Sequence, residues 1–217
     1  MLVSMWMTRD VITVAPDTPL QQASKRLAEN RIRRLPVVRE FAGDQLVVGM
    51  VSKTDLLHAY PADVNPLRVG PFSGMDSLPL VEEVMTSPVV SIEPDSPLEA
   101  ASALMRNRKI GALPVIADGE LVGIITESDI FDAFARLLTG GENPVRVTFD
   151  GLDEELHGFV DGVAEAARST GMTLASLISF EWKGRQRAVA RATGPAPEQF
   201  LEAIRRGGYR LLDVQRG

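Results

Sequence analysis

The chain has 217 residues, 45% of them hydrophobic, enough to bury one large core or two modest ones. Its net charge of -6, from 23 basic and 29 acidic residues, suits a soluble protein and argues against a backbone-wide nucleic-acid footprint. The lack of cysteine excludes disulfides and thiolate metal sites, and His58 and His157 alone are too few for a multi-histidine zinc centre.

The opening "MLVSMWMTRD" has no apolar run behind a basic one, and no stretch reaches transmembrane length. A cytoplasmic protein without nucleic-acid or membrane partners is expected.

From Met7 onward the chain repeats itself. Residues 7–38, "MTRDVITVAPDTPLQQASKRLAENRIRRLPVV", align with residues 85–116, "MTSPVVSIEPDSPLEAASALMRNRKIGALPVI", at a constant offset of 78 (85 − 7 and 116 − 38). Gly49, Ser52 and Asp55 answer Gly123, Thr126 and Asp129 at an offset of 74 (123 − 49), so the first copy carries a longer strand connection, "REFAGDQ" against "ADGE". An insertion confined to a connection is what a preserved unit tolerates.

Taken in order, "VITV" and "VVSI" predict short strands, each followed by a turn with Pro and Asp. Thr18-Pro19-Leu20-Gln21 and Ser96-Pro97-Leu98-Glu99 predict helix starts, with the hydroxyl as N-cap and Pro as first helical residue. Leu20, Ala23 and Leu27, and Leu98, Ala101 and Met105, recur at helical spacing and mark the buried faces. "LPVV" and "LPVI" then form strands with Pro36 and Pro114 near their starts. "QLVVGMV" and "ELVGIIT" form second strands, and helices begin at Ser52 and Thr126.

These β-α-β-β-α units are small for independent cores, so the two are expected to share one. The predicted boundaries are 1–60 for the first repeat, 61–79 for a linker containing Pro61, Pro66, Pro71 and Pro79, and 80–138 for the second repeat.

Capping alone explains the spacing of "SKTD" and "TESD": Ser52 or Thr126 caps, and Asp55 or Asp129 reaches back from the third helical position. The same corner also gathers N–H groups, a hydroxyl and a carboxylate, donors for an anion and an acceptor for vicinal sugar hydroxyls. Both readings stand on these residues, and two related corners packed together would frame a cleft.

The segments "RIRRLPVV" and "RKIGALPVI", each followed by G-x-x-S/T-x-x-D as "GMVSKTD" and "GIITESD", resemble tandem CBS domains, the regulatory pair called a Bateman module. The resemblance covers roughly residues 1–138. It implies an adenosine-containing regulatory ligand, AMP, ADP, ATP or S-adenosylmethionine, and no catalytic cofactor. It assigns ribose or phosphate contacts to Thr126 and Asp129 in one site and to Ser52 and Asp55 in another. Adenine would be enclosed by the segments around Val11 and Val89 together with Ile32 to Pro36 and Ile110, Gly111, Ala112, Leu113 and Pro114.

The copies differ where charge matters. Arg33 and Arg34 stand where the second copy has Gly111 and Ala112, and Lys53 stands where it has Glu127. Such a basic group can be solvated surface or can neutralise phosphates. The second copy's approach reads as smaller and less basic, with Arg106, Arg108 and Lys109 near it.

After "GGENP" the pattern changes. "VRVTF" alternates, Leu156, Phe159, Val160, Val163 and Ala167 form a helical stripe ending near Gly171, and "LASLISFEWKGRQRAVARA" predicts two strands joined near Lys183-Gly184. A helix from Pro197 to Arg206 ends at Gly207-Gly208 before "YRLLDV". This β-α-β-β-α-β order over 145–217 describes a ferredoxin-like α+β sheet and resembles an ACT domain, which implies an amino-acid effector and association through the sheet. Its effector loop would fall at Asp150-Gly151-Leu152, which lacks the frequent Pro-Gly-x-Leu form. Phe180 and Trp182 read as core or dimer contact, and His157 as polar surface.

The combined arrangement resembles small acetoin-utilisation-type CBS proteins and implies a non-catalytic sensor, a homodimer, acting on a regulated protein the sequence does not name. No GxxxxGK[ST], GxSxG or imidazole cluster points to an enzyme, and Glu127 and Asp129 do not share a helical face. Two alternatives remain: a ligand-free homo-oligomeric interaction module, and amino-acid sensing through the last domain.

Overall fold

In the computed structural model, which describes residues 1–41, 44–59, 79–139, 144–150 and 156–217, the chain divides into two compact units, Met1–Phe131 and Asp132–Gly217. The expected linker lies outside the described residues except for Pro79, as do Gly151 and Leu152 of the expected effector loop.

The first repeat contributes α1 (Leu20–Glu29), β1 (Arg34–Phe41), β2 (Asp44–Ser52) and α2 (Lys53–Ala59). A short α3 (Val81–Val84) opens the second, followed by α4 (Leu98–Arg108), β3 (Ala112–Ala117), β4 (Glu120–Thr126) and α5 (Glu127–Thr139). The hairpins β1-β2 and β3-β4 are antiparallel, and each carries a bulge at the equivalent place, after Val37 opposite Gly49 and after Val115 opposite Gly123. The predicted stripes on α1 and α4 are buried as expected.

Two predicted starts move. The runs "VITV" and "VVSI" do not form strands; each makes one parallel bridge, Val14 to Val37 and Ile92 to Val115. Pro19 and Pro97 occupy the N-caps rather than the first helical positions, and neither helix has a side-chain cap. The reason is tertiary: Leu20 N–H donates to the Pro79 carbonyl and Leu98 N–H to that of Met1, so the first helical donors are already satisfied. Thr18 Oγ1 instead accepts from Ala15 N–H at 3.1 Å.

These bonds reveal an exchange. The leading segment of the first repeat, residues 1–8, bonds to the second repeat: Val3 N–H donates to Ser96 O, Ser4 N–H to Pro94 O, and Thr8 pairs with Ile124. Residues 79–86 do the same for the first repeat: Val81 N–H donates to Thr18 O, Glu82 N–H to Pro16 O, and Thr86 pairs with Met50. Val3 and Val81 are fully buried, and Val81 belongs to the core of Val14, Leu20, Ala23, Leu27, Leu35, Val37, Val51 and Leu56. Neither repeat completes its own core, because each lends its leading segment to the other.

The motif glycines permit this crossing. A Cβ on Gly49 would lie 2.2 Å from Met85 Sδ, and one on Gly123 would lie 2.6 Å from Met7 Sδ and 3.0 Å from the Thr8 carbonyl oxygen.

The second unit contains β5 (Val145–Asp150), α6 (Leu156–Ser169), β6 (Thr173–Trp182), β7 (Arg185–Thr193), α7 (Pro197–Arg206) and β8 (Leu211–Arg216), the predicted element order. The strands form one antiparallel sheet in the order β6-β7-β5-β8. Lys183 and Gly184, with φ of 54° and 73°, make the two-residue turn that suits a twisted hairpin. Inward residues of β5 and β7 pack on Phe159, Val163, Phe200, Leu201 and Ile204, and Phe149 meets Phe159 edge-on at 4.9 Å.

Along α6, Val160 is exposed and Ala166 is buried in its place, while His157 is exposed. Phe180 and Trp182 are exposed and take no part in the core. The Asp150 carboxylate is buried among Arg187 at 3.0 Å, Arg185 at 3.6 Å and Arg210 at 3.7 Å, which holds the end of β5.

Gly123→Ala is expected to cost ~1–3 kcal/mol, the usual penalty for overpacking, in urea unfolding. Adding Met7→Ala should recover only part of it, because the Thr8 carbonyl still meets the new methyl; a double-mutant cycle measures the remainder.

Candidate functional site

Each β-hairpin delivers its second strand into a helix, and the junction is built alike in both repeats. Asp129 Oδ2 accepts from Thr126 N–H and from the Thr126 hydroxyl, both at 2.7 Å, while Asp129 N–H donates to Thr126 Oγ1 at 3.4 Å. Asp55 Oδ2 accepts the same two bonds from Ser52 at 2.7 Å, and Asp55 N–H donates to Ser52 Oγ at 3.2 Å. These are reciprocal capping boxes. Both accepted bonds reach one carboxylate oxygen, Oδ2, in each case.

The next N–H of each helix is held by its own repeat: Glu127 N–H donates to Gly111 O at 3.2 Å, and Lys53 N–H to Arg33 O at 2.9 Å. The start of each helix is thereby tied to the segment that precedes its own repeat's first strand.

Two cavities result, and both are composed across the repeats. The larger, about 310 Å³, joins Thr126, Ser128, Asp129 and Ile124 of the second repeat to Val11, Ile12, Ile32, Arg33, Arg34 and Pro36 of the first. Thr8, Asp10 and Arg31 complete its wall. The smaller, about 200 Å³, joins Ser52, Asp55, Met50 and Val51 of the first repeat to Val89, Val90, Ile110, Gly111 and Ala112 of the second, with Thr86, Pro88, Lys109 and Arg34 around them.

Most of the residues singled out in the sequence therefore meet, but in crossed combinations. Arg33, expected beside the first copy's own corner, lines the cavity of Asp129 and its Nη2 donates to Ser128 Oγ at 3.0 Å, while Arg34 lines both cavities. Lys109 reaches the smaller cavity, whereas Arg106 and Arg108 do not line it. Lys53 is exposed and lines neither. Leu113 and Pro114 are buried in β3 and line neither, Leu113 being fully inside the core.

Sequence reasoning missed Thr8 and Thr86, the last residues of the exchanged segments. The repeat itself carried that signal, since Thr8 and Thr86 stand at the same offset as every other equivalent pair.

Electrostatically, the larger cavity sets Arg31, Arg33 and Arg34 against Asp10 and Asp129. The smaller sets Arg34 and Lys109 against Asp55. Each can present cations to an anionic group and a carboxylate to hydroxyls, with an apolar wall between them. Among the described residues no group of three or more His, Cys, Asp or Glu could hold a metal ion, and no helix is long and apolar enough to cross a membrane.

Arg31 and Lys109 occupy equivalent positions and both adopt left-handed backbone, with φ of 54° and 55°. Glycine is the usual residue there, just past a helix end. Instead, both positions place a cationic side chain in a cavity wall.

Paired repeats that exchange leading segments and frame two cavities, each with a capped hydroxyl and carboxylate, define a tandem binding module. The CBS domain model matches residues 3–62 and 81–136, and the chain belongs to the CBS-domain family. Protein MJ1225 of Methanocaldococcus jannaschii is 32% identical over 133 residues, which cover 60% of this chain and 46% of that protein. The chain thus spans less than half the length of this curated relative.

Among solved structures, the CBS domain pair of protein MJ0100 in complex with 5'-methylthioadenosine and S-adenosyl-L-methionine has a TM-score of 0.52 and 26% identity, covering 63% of this chain and 97% of that one. CBSX2 in complex with AMP has a TM-score of 0.50 and 29% identity over 63% and 97%. A Vibrio cholerae protein named for acetoin utilization (AcuB) has a TM-score of 0.50 and 32% identity over 64% and 93%.

Glycine relieves left-handed strain, so Lys109→Gly is expected to be more stable than Lys109→Ala by about 1 kcal/mol, as read from their unfolding midpoints at equal slope.

Proposed function

We propose that the chain is a non-catalytic regulatory sensor that binds adenosine-containing ligands in the two cavities of its CBS pair. One observation carries this reading: each cavity places a Ser/Thr–Asp helix start of one repeat opposite an apolar segment of the other. The apolar segment suits a purine, the carboxylate suits ribose hydroxyls, and the helix N-terminus with its flanking cations suits a phosphate. AMP, S-adenosyl-L-methionine and 5'-methylthioadenosine in the named CBS structures support the same ligand class.

Val11, Ile32 and Pro36, and Val89, Ile110, Gly111 and Ala112, enclose the purines; Thr126 with Asp129, and Ser52 with Asp55, take the ribose or phosphate. Because the capping bonds converge on Oδ2, the other carboxylate oxygen can accept a ribose hydroxyl while the cap stays closed. Lys53, Leu113 and Pro114 are left out of this proposal, since none of them lines a cavity.

The second unit is read as a ferredoxin-like, ACT-type domain, supported by its β-α-β-β-α-β order and β6-β7-β5-β8 sheet. An amino-acid effector there is the second reading. The regulated partner is a separate protein, and a cytoplasmic setting and an acetoin-utilisation-type role rest on the family likeness.

A homodimer is favoured by an exposed apolar stripe on α5, where Phe131 is 74% exposed and Phe134 and Leu138 follow at helical spacing. Isologous pairing would bury it.

Titration calorimetry with AMP tests the ligand. Saturable binding is expected, and Asp129→Asn should weaken it at least tenfold at the larger cavity while keeping the cap acceptor and hence the melting temperature. Asp129→Ala should lose both, at a stability cost of ~0.5–2 kcal/mol. If wild-type protein binds no adenosine compound, the sensor reading fails.

For the dimer, Phe131→Glu should halve the mass seen by light scattering without unfolding the chain. An unchanged mass would place the contact elsewhere.

A further inference from the structure

The two cavities are equivalent in construction but share one side chain. Arg34 lines both. It stands at the first position of β1, beside the segment that walls the larger cavity, and its guanidinium reaches the wall of the smaller one at Gly111. A Cβ on Gly111 would lie 2.4 Å from Arg34 Nη2 and 2.9 Å from its Cζ. Glu127 Oε2 lies 2.6 Å from the same point, so a guanidinium and a carboxylate both border the space beside Gly111.

The repeat explains why there is only one such residue. The position equivalent to Arg34 is Ala112, so the second repeat sends nothing back. The position equivalent to Gly111 is Arg33, so only the second repeat leaves room for an incoming guanidinium. Without Arg34, the larger cavity keeps Arg31 and Arg33, whereas the smaller keeps Lys109 alone.

We propose that Arg34 couples the two cavities: a phosphate-bearing ligand in the larger one draws the guanidinium toward itself and weakens binding of a second phosphate-bearing ligand in the smaller one. This inference rests on the adenosine-ligand reading and adds to it a direction of communication between the sites. The coupling is negative, requires a charged phosphate, and is reciprocal, as any linkage of binding equilibria must be. Arg34 here is a shared specificity residue whose position differs between singly and doubly filled states, the differential interaction that a population shift requires.

The test uses the full chain with AMP and, as the uncharged probe, adenosine. Asp129→Ala disables the larger cavity, so the smaller one is titrated alone; Asp55→Ala isolates the larger one. AMP is expected to bind the smaller cavity about tenfold more tightly in Asp129→Ala than in wild-type protein whose larger cavity is already filled. Adenosine should show no such difference.

In an Arg34→Ala background the AMP difference should vanish while adenosine binding persists. Gly111→Ala, which keeps the charge but closes the space Arg34 occupies, should also abolish it. If wild type takes only one AMP, Arg34→Ala decides: a second AMP taken up by that variant upholds the inference, and a single site there overturns it. It is overturned if the tenfold difference survives Arg34→Ala, which would assign it to repulsion between the phosphates. It is equally overturned if both cavities fill independently in wild type, or if Asp129→Ala binds adenosine but not AMP. Failure of adenosine and AMP to bind any variant would overturn the ligand reading along with it.

Discussion

The first unit depends on an exchange of leading segments. A helix that starts beneath a proline leaves its first N–H groups without intrahelical partners, and a short β-hairpin leaves two open edges. Residues 1–8 and 79–86 answer both needs, but each for the repeat it does not precede: their carbonyls accept from Leu98 and Leu20, and Thr8 and Thr86 bridge the second strands. Val3 and Val81 then enter cores they could not reach if each segment folded back on its own repeat. The exchange makes the pair one folding unit, consistent with repeats too small to bury a sufficient core alone.

The site inherits this crossing. Each helix start is hydrogen-bonded within its own repeat through Gly111 O or Arg33 O, while the exchanged segments bring Thr8 and Thr86 into the cavity walls and the hydroxyl and carboxylate face a wall of the other repeat. The same Ser/Thr–Asp pair that closes the helix end also presents a free carboxylate oxygen, so capping and ligand contact are compatible uses of one residue set. The glycine of the G-x-x-S/T-x-x-D pattern serves a different purpose. It clears space for Met7 or Met85 and accommodates the bulge opposite it, fixing the strand that leads into the cap.

Much of this was legible in sequence because it is encoded by local chemistry. The helical stripes on α1 and α4, the caps at Ser52 and Thr126, the Lys183-Gly184 turn and the end of α7 at Gly207-Gly208 all follow from residues within a few positions of one another. Where local chemistry was overridden, distant chain was responsible. The Thr18 and Ser96 caps are displaced because Pro79 and Met1 already accept the N–H groups those caps would serve. The "VITV" and "VVSI" runs shrink to single bridges, each held at one residue beside the opposing hairpin strand. Lys53 and Arg33 illustrate the same limit in the site: both looked like ligands' cations, and only the one facing the opposite repeat's helix start lines a cavity.

By itself the sequence determined that there are two copies of one unit, that Ser52 and Thr126 cap the helices after their second strands, and that the copies differ in charge at Arg33 and Arg34 against Gly111 and Ala112. Those are statements about periodicity and short spacing, and the chain's own chemistry fixes them. The tertiary structure alone decided which copy's walls meet which copy's carboxylate, and that Arg34 lines both cavities. Offsets along the chain give equivalence, not proximity. Proximity was set by where the leading segments could satisfy orphan N–H groups and bury a valine, which is a property of the folded pair.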